Sequence, residues 1–174
     1  MNKLWFLLAV LFGLTACSDE AEKIGEASTV FNVLGKNDRI EIVALDDPDV
    51  AGVSCFLSYA KKGGLKEFVN LEEDTSDASI TCLQTAPVIR FNEKHVLNPR
   101  QIFKRNSNLT FKSMQIVRYY DQKRKTFSYL VYSDKIIEGS PKNSLTAFSC
   151  YQTPATEKIA DALQIGSCII DVSK

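Results

Sequence analysis

The feature that most constrains how this chain can fold is the placement of its five cysteines. Cys17 stands directly behind an apolar leader, and Cys55, Cys82, Cys150 and Cys168 are spread through the remainder. The leader opens Met-Asn-Lys and runs from Leu4 to Leu14 without a charge. That run is shorter than the roughly 17–25 residues a spanning helix needs and suits the apolar segment of a signal peptide. Leu14-Thr15-Ala16-Cys17 then has the form of a bacterial lipobox. The thiol is the nucleophile that takes a diacylglyceryl group, and small side chains before it let the extended chain enter the peptidase. Residues 1–16 are therefore expected to be a removed signal peptide, with residues 17–27 as a lipidated start and polar tether. The alternatives are a plain secretory signal cleaved near Ala16, which would leave Cys17 a free thiol, or an apolar run retained as an anchor. Two or more acyl chains anchor stably where one is marginal. Ser18, rather than Asp, behind the cysteine favours the outer membrane in many Gram-negative species.

Assigning Cys17 to lipid leaves an even set of four cysteines in an oxidising compartment. Four cysteines allow three pairings. Cys55–Cys82 and Cys150–Cys168 are favoured because each pair lies within its own segment. A structural zinc site is the competitor, but the spacing holds no Cys-x-x-Cys knuckle.

The chain has 174 residues, with 21 basic against 21 acidic side chains, and of these only Lys3 lies in the leader. Such a balance carries no electrostatic signature of a nucleic-acid binder, and the length suits one domain with a substantial core. From residue 28 the pattern turns to short β-rich runs separated by turn residues. Thr29–Leu34 and Arg39–Leu45 are expected to be strands around a Lys36-Asn37-Asp38 loop, the second ending in the Asp46-Asp47-Pro48-Asp49 turn. Val53–Ala60 and Ser79–Thr85 are expected to be strands carrying Cys55 and Cys82. The clearest hairpin joins Leu109–Tyr120 to Thr126–Tyr132, whose aromatic and β-branched residues suit a pleated, half-buried surface. Leu145–Tyr151 makes a late strand. One helix is expected over Pro154–Leu163, with Thr153 as its cap. The expectation is a mainly β protein: residues 28–174 form a single antiparallel β domain, sandwich or barrel-like, with one or two small helices.

From about Ser28 to Leu145 the chain resembles the CreA family of envelope proteins. The segments that carry the resemblance are Asp46-Asp47-Pro48-Asp49-Val50, Ala60-Lys61-Lys62-Gly63-Gly64 and the run Glu73 to Cys82. Phe111 to Asp121 and Tyr132 to Ser144 continue it in order. The resemblance implies an exported domain of no established biochemical activity, and it supports pairing Cys55 with Cys82, which fall on the family's two matching cysteines. The lipobox in front and the Cys150–Cys168 extension behind depart from the family pattern.

Carboxylates cluster before the two matching cysteines: Asp46, Asp47 and Asp49 before Cys55, and Glu72, Glu73, Asp74 and Asp77 before Cys82. Oxygen-rich loops of this kind can hold calcium, which takes six to eight oxygen ligands, so Asp46, Asp47, Asp49, Asp74 and Asp77 form a candidate cation site. No EF-hand or nonapeptide calcium pattern accompanies them, and the plainer reading is that they cap turns. The same carboxylates could act as the acid/base pair of a cell-wall hydrolase. Nucleophilic catalysis finds no support: there is no Gly-x-Ser-x-Gly elbow, His95 is the only histidine and lies in a polar stretch, and Ser140 sits between Gly139 and Pro141. Gly63-Gly64 alone is a weak phosphate-loop signal. Lys61, Lys62 and Lys66, and Lys123, Arg124 and Lys125, read as solvated turns, or more sharply as contacts to anionic headgroups or glycan. Tyr119, Tyr120, Phe127, Tyr129 and Tyr132 read as core and cross-strand pairs. The functional expectation is a non-enzymatic, lipid-anchored module of the bacterial envelope, facing the periplasm, that binds an envelope protein, a glycan or a small ligand. It has no catalytic residue and no cofactor beyond the candidate calcium. A cation-dependent binding module and a carboxylate hydrolase are the alternatives.

Overall fold

The computed structural model describes residues 21–64, 78–106, 113–133, 142–152 and 162–171. The expected β-rich runs become strands. They are β1 (Glu22–Val30), β2 (Asp38–Asp46), β3 (Val50–Ala51), β4 (Val53–Lys61), β5 (Ala78–Gln84), β6 (Ile89–Asn92), β7 (Arg100–Asn106), β8 (Ser113–Asp121), β9 (Thr126–Ser133), β10 (Asn143–Ser149), β11 (Ala162–Ile165) and β12 (Cys168–Asp171). Among the described residues they assemble into three four-stranded sheets, ordered β1-β2-β4-β5, β10-β9-β8-β7 and β11-β12-β6-β3. The pairings are antiparallel except β6 with β12, which run parallel with Ile89 opposite Cys168. The protein is mainly β, as expected.

Period-2 patterning explains how the sheets close on one core. Met114, Ile116, Arg118 and Tyr120 of β8 and Phe127, Tyr129 and Val131 of β9 point inward. Val43 and Leu45 of β2, Cys55, Leu57 and Tyr59 of β4, and Ile89, Phe91 and Ile170 of the third sheet join the same cluster. Phe91 packs edge-on against Phe127 at 4.9 Å and Tyr120 at 5.4 Å, a favoured aromatic geometry. The first two sheets meet where β5 lies beside β10, with the Cys82 amide donating to Thr146 Oγ1 at 3.5 Å. Both favoured disulfides are present. Cys55–Cys82 joins directly opposed residues of β4 and β5, and Cys150–Cys168 ties the end of β10 to β12.

Four expectations need correction. Residues 22–27, expected as tether, belong to β1: an edge strand exposed on both faces shows no burial alternation, so its polar sequence reads as linker. The first hairpin loop is correspondingly longer and runs from Phe31 to Asn37. Ala162 and Leu163, expected to end a helix, begin β11, where they pair with Asp171 and Ile170; residues 153–161 lie outside the described residues. Instead a one-turn helix, α1 (Glu93–Val96), is started by Asn92, whose side chain accepts from the Lys94 amide at 3.0 Å. It carries His95, which is exposed as the polar stretch implied, though helical rather than looped. Tyr120, Phe127 and Tyr129 are core residues as expected, and Tyr119, exposed, and Tyr132, half-buried, stand in cross-strand pairs opposite Ser128 and Gln115.

Candidate functional site

The Asp46–Asp49 turn crosses the end of the first sheet and reaches the inner face of the second. It is shaped by its own side chains: Asp47 Oδ1 accepts from the Asp49 amide at 2.9 Å, and the Asp47 amide donates to Val53 O at 3.1 Å. This local geometry aims the Asp47 carboxylate into the core. There Arg118 Nη1 donates to Oδ1 at 2.8 Å and the Tyr129 hydroxyl donates to Oδ2 at 2.8 Å. The side chains of Asp47 and Arg118 are both fully buried. Asp49 completes the group, with Oδ2 at 2.9 Å from Arg118 Nη1 and Oδ1 paired with Arg100. Burial opposes ionisation of Asp49, but the hydrogen-bonded guanidinium groups of Arg118 and Arg100 outweigh it and hold its carboxyl below the usual range. Burial and the neighbouring Asp47 carboxylate push the Tyr129 hydroxyl well above its ordinary value. Arg118 Nε and Nη2 are buried and make no hydrogen bond, so the cluster retains donor capacity that its carboxylates do not use.

A second buried charge group sits at the other end of β2. Arg39 and Glu41 face inward where an amphipathic strand would carry apolar residues, while Ile40 and Ile42 point outward and are exposed. Arg39 Nε donates to Glu41 Oε1 at 2.8 Å, and the Tyr59 hydroxyl donates to Glu41 Oε2 at 3.1 Å. Arg105 of β7 lies over the Tyr59 ring at 4.8 Å and donates to its hydroxyl, so the group links the first two sheets. Burial raises the Glu41 carboxyl, but Arg39 and Lys61 reverse this and leave it below its ordinary value.

Of the carboxylates that sequence reasoning singled out, Asp47 and Asp49 are brought together, but onto guanidinium groups. Asp46 accepts from the Ser54 hydroxyl at 2.6 Å outside the core. Asp74 and Asp77 lie outside the described residues, as do Lys66 and Ser140. Among the described residues no group of three or more metal-ligating side chains converges. At the β8–β9 tip Arg124 pairs with Asp121 and Lys125 reaches Glu93, both at 2.6 Å, so two of that tip's three cations are engaged within the fold. Arg118, Arg100, Arg39, Glu41 and Arg105 were not foreseen. One signal was readable: in Met114-x-Ile116-x-Arg118-x-Tyr120 an arginine occupies a core-facing position, which demands a buried acidic partner.

A groove of about 380 Å³ opens beside the first sheet, lined by Ile40, Ser58, Tyr59, Ala60, Ala78 and Ser79. It is lined by three apolar and three hydroxyl-bearing residues and falls within the size range of small-ligand clefts.

Comparison with known proteins settles the family. A family model described as CreA protein matches residues 24–153. The chain belongs to the CreA family. Protein CreA of Escherichia coli K12 is 48% identical over 130 residues, covering 73% of this chain and 82% of that protein. Protein CreA of Escherichia coli O157:H7 matches with the same figures. No solved structure matches. No helix among the described residues is long and apolar enough to cross a membrane.

Proposed function

We propose that this CreA family member is a non-enzymatic binding module of the bacterial envelope, acylated at Cys17 and facing the periplasm. The observation that carries the non-enzymatic part is the state of its buried carboxylates. A carboxylate general acid needs a raised pKa, whereas Asp49 and Glu41 are held below their ordinary values by arginines of the same fold. Asp47 is enclosed by Arg118 and Tyr129 and has no exposed surface. These groups hold sheets together, which leaves exposed apolar side chains and the groove beside β4 and β5 as the surfaces suited to recognition. The lipid anchor rests on the leader and on cysteine parity, and the two disulfides suit an oxidising compartment.

The experiment is to express the full chain in a Gram-negative host, isolate it from the envelope and measure its intact mass and substrate turnover. A mass beginning at Cys17 with diacylglyceryl and acyl additions is expected, together with no release of soluble fragments from purified peptidoglycan. A free Cys17 thiol would overturn the anchor. Fragment release that is lost in Asp47→Asn, in a variant that still melts cooperatively, would overturn the binding reading in favour of a hydrolase.

A further inference from the structure

Residues 30–34 place four large apolar side chains in water within five positions: Val30 is 55% exposed, Phe31 79%, Val33 87% and Leu34 65%. No other described stretch of similar length carries as many. The intervening polar residue holds the loop in shape. The Asn32 amide donates to Asn37 Oδ1 at 3.0 Å, and its side chain donates to Lys36 O at 3.0 Å and Asp38 Oδ1 at 2.9 Å. The Gly63–Gly64 segment buttresses it: the Gly64 amide donates to Lys36 O at 2.7 Å and the Gly63 amide to Asp38 Oδ1 at 2.9 Å. The approach is so close that a Cβ on Gly63 would lie 2.0 Å from Lys36 O, and one on Gly35 (φ +86°) 2.9 Å from the Gly64 backbone. A loop fixed this firmly presents Phe31, Val33 and Leu34 as a standing apolar tip.

We propose that this tip inserts into the interfacial layer of an anionic lipid bilayer, giving the domain a second contact with the membrane; the inference rests on the Cys17 anchor proposed above. Three observations favour lipid as the occupant. Four residues separate Cys17 from the first residue of β1, a reach of at most about 17 Å, so the anchor would hold the start of β1 against the bilayer. β1 is an edge strand of nine residues, about 30 Å long, and it leads straight into the apolar tip. With β1 lying along the bilayer, anchor and tip both reach it, and Ile24, Ile40 and Ile42, exposed on β1 and the neighbouring β2, lie between them. The third observation is charge: Lys36 belongs to the loop and is exposed, and Lys62 stands directly before its Gly63–Gly64 buttress; apolar tips flanked by lysine suit anionic interfaces.

The test uses the full chain carrying Phe31→Trp in a Trp5→Phe background, so that the introduced indole is the only one whether or not the leader is removed. The protein is taken from the envelope, its Cys17 acylation is read by mass, and it is reconstituted into phosphatidylethanolamine–phosphatidylglycerol vesicles. The expected result is a blue shift of indole emission and its quenching by bromine placed on the upper acyl chain, both lost when Val33→Asp and Leu34→Asp are added. Emission that stays red and unquenched on vesicle-bound, acylated protein would overturn the proposal. Equal quenching in pure phosphatidylcholine vesicles would overturn its anionic part. A concentration-dependent blue shift in detergent without vesicles would show that a second copy is the occupant and would also overturn it. If the mass shows no acyl group, the anchor reading fails by itself, and quenching on added vesicles still decides whether the tip enters lipid.

Discussion

Two regions of this molecule reverse the usual distribution of polarity, and they do so with opposite consequences. At the centre, Asp47, Arg118, Tyr129 and Asp49 put charge where apolar side chains are the rule. At the β1–β2 loop, Phe31, Val33 and Leu34 put apolar surface in water. The central charges are paired with one another inside the fold, although two buried N–H groups of Arg118 make no hydrogen bond. The loop's apolar surface has no counterpart among the described residues, although the backbone beneath it is firmly hydrogen-bonded. A buried anomaly whose charges are paired speaks to stability. An exposed one that is held rigid speaks to a partner.

The largest effect expected from this contrast comes from Arg118→Leu. Removing one side of a buried pair leaves Asp47 uncompensated and costs about 3–5 kcal/mol, which thermal or denaturant unfolding would register as a large drop in the midpoint. A loss under about 1 kcal/mol would mean that the cluster is not the internally matched group described above. Next is Tyr129→Phe, which deletes one hydrogen bond to a charged acceptor, worth roughly 1.5–3 kcal/mol, with the unfolding slope unchanged.

The pH dependence gives a third, smaller test. The folded-state carboxyl groups of Glu41 and Asp49 lie below their ordinary values of 4.5 and 3.8. Such groups bind protons less readily when folded, so the stability they contribute is present above those ordinary values and is lost as pH falls through the lowered ones. Melting temperature is therefore expected to be flat near neutrality and to fall below about pH 4. Glu41→Gln should flatten that acid-side fall; an unchanged fall would remove Glu41 from the account. The smallest effect belongs to the loop: Phe31→Ser and Val33→Ser should each move stability by no more than about 0.5 kcal/mol. A larger loss would show that the tip is supported from within after all, and would erase the contrast.

Legibility from sequence followed the same division. The β8–β9 hairpin was readable because its alternation is local and apolar, and both disulfides followed from segment locality. The β6, β11 and β12 strands are only four residues each, too short to show a period before their partners are known. β1 was obscured because neither of its faces is covered. Asp47 was marked as a turn residue, and it is one, but its carboxylate meets Arg118, a residue 71 positions later. No local pattern announces such a pairing. The isolated arginine among core-facing β8 residues was the one available hint, and it shows that a buried partner is needed without saying which.

The parallel pairing of β6 with β12 has a consequence in time. Ile89 and Phe91 lie against Cys168 and Ile170, residues synthesised long after them, and Cys168 is bonded to Cys150 by a disulfide. A contact of such long sequence separation forms slowly and only once its distant half exists. While the chain is being made, β6 therefore keeps one edge open, and the third sheet cannot be completed. β12 thus acts as a clock: it delays the finished core until the chain has been made as far as Asp171.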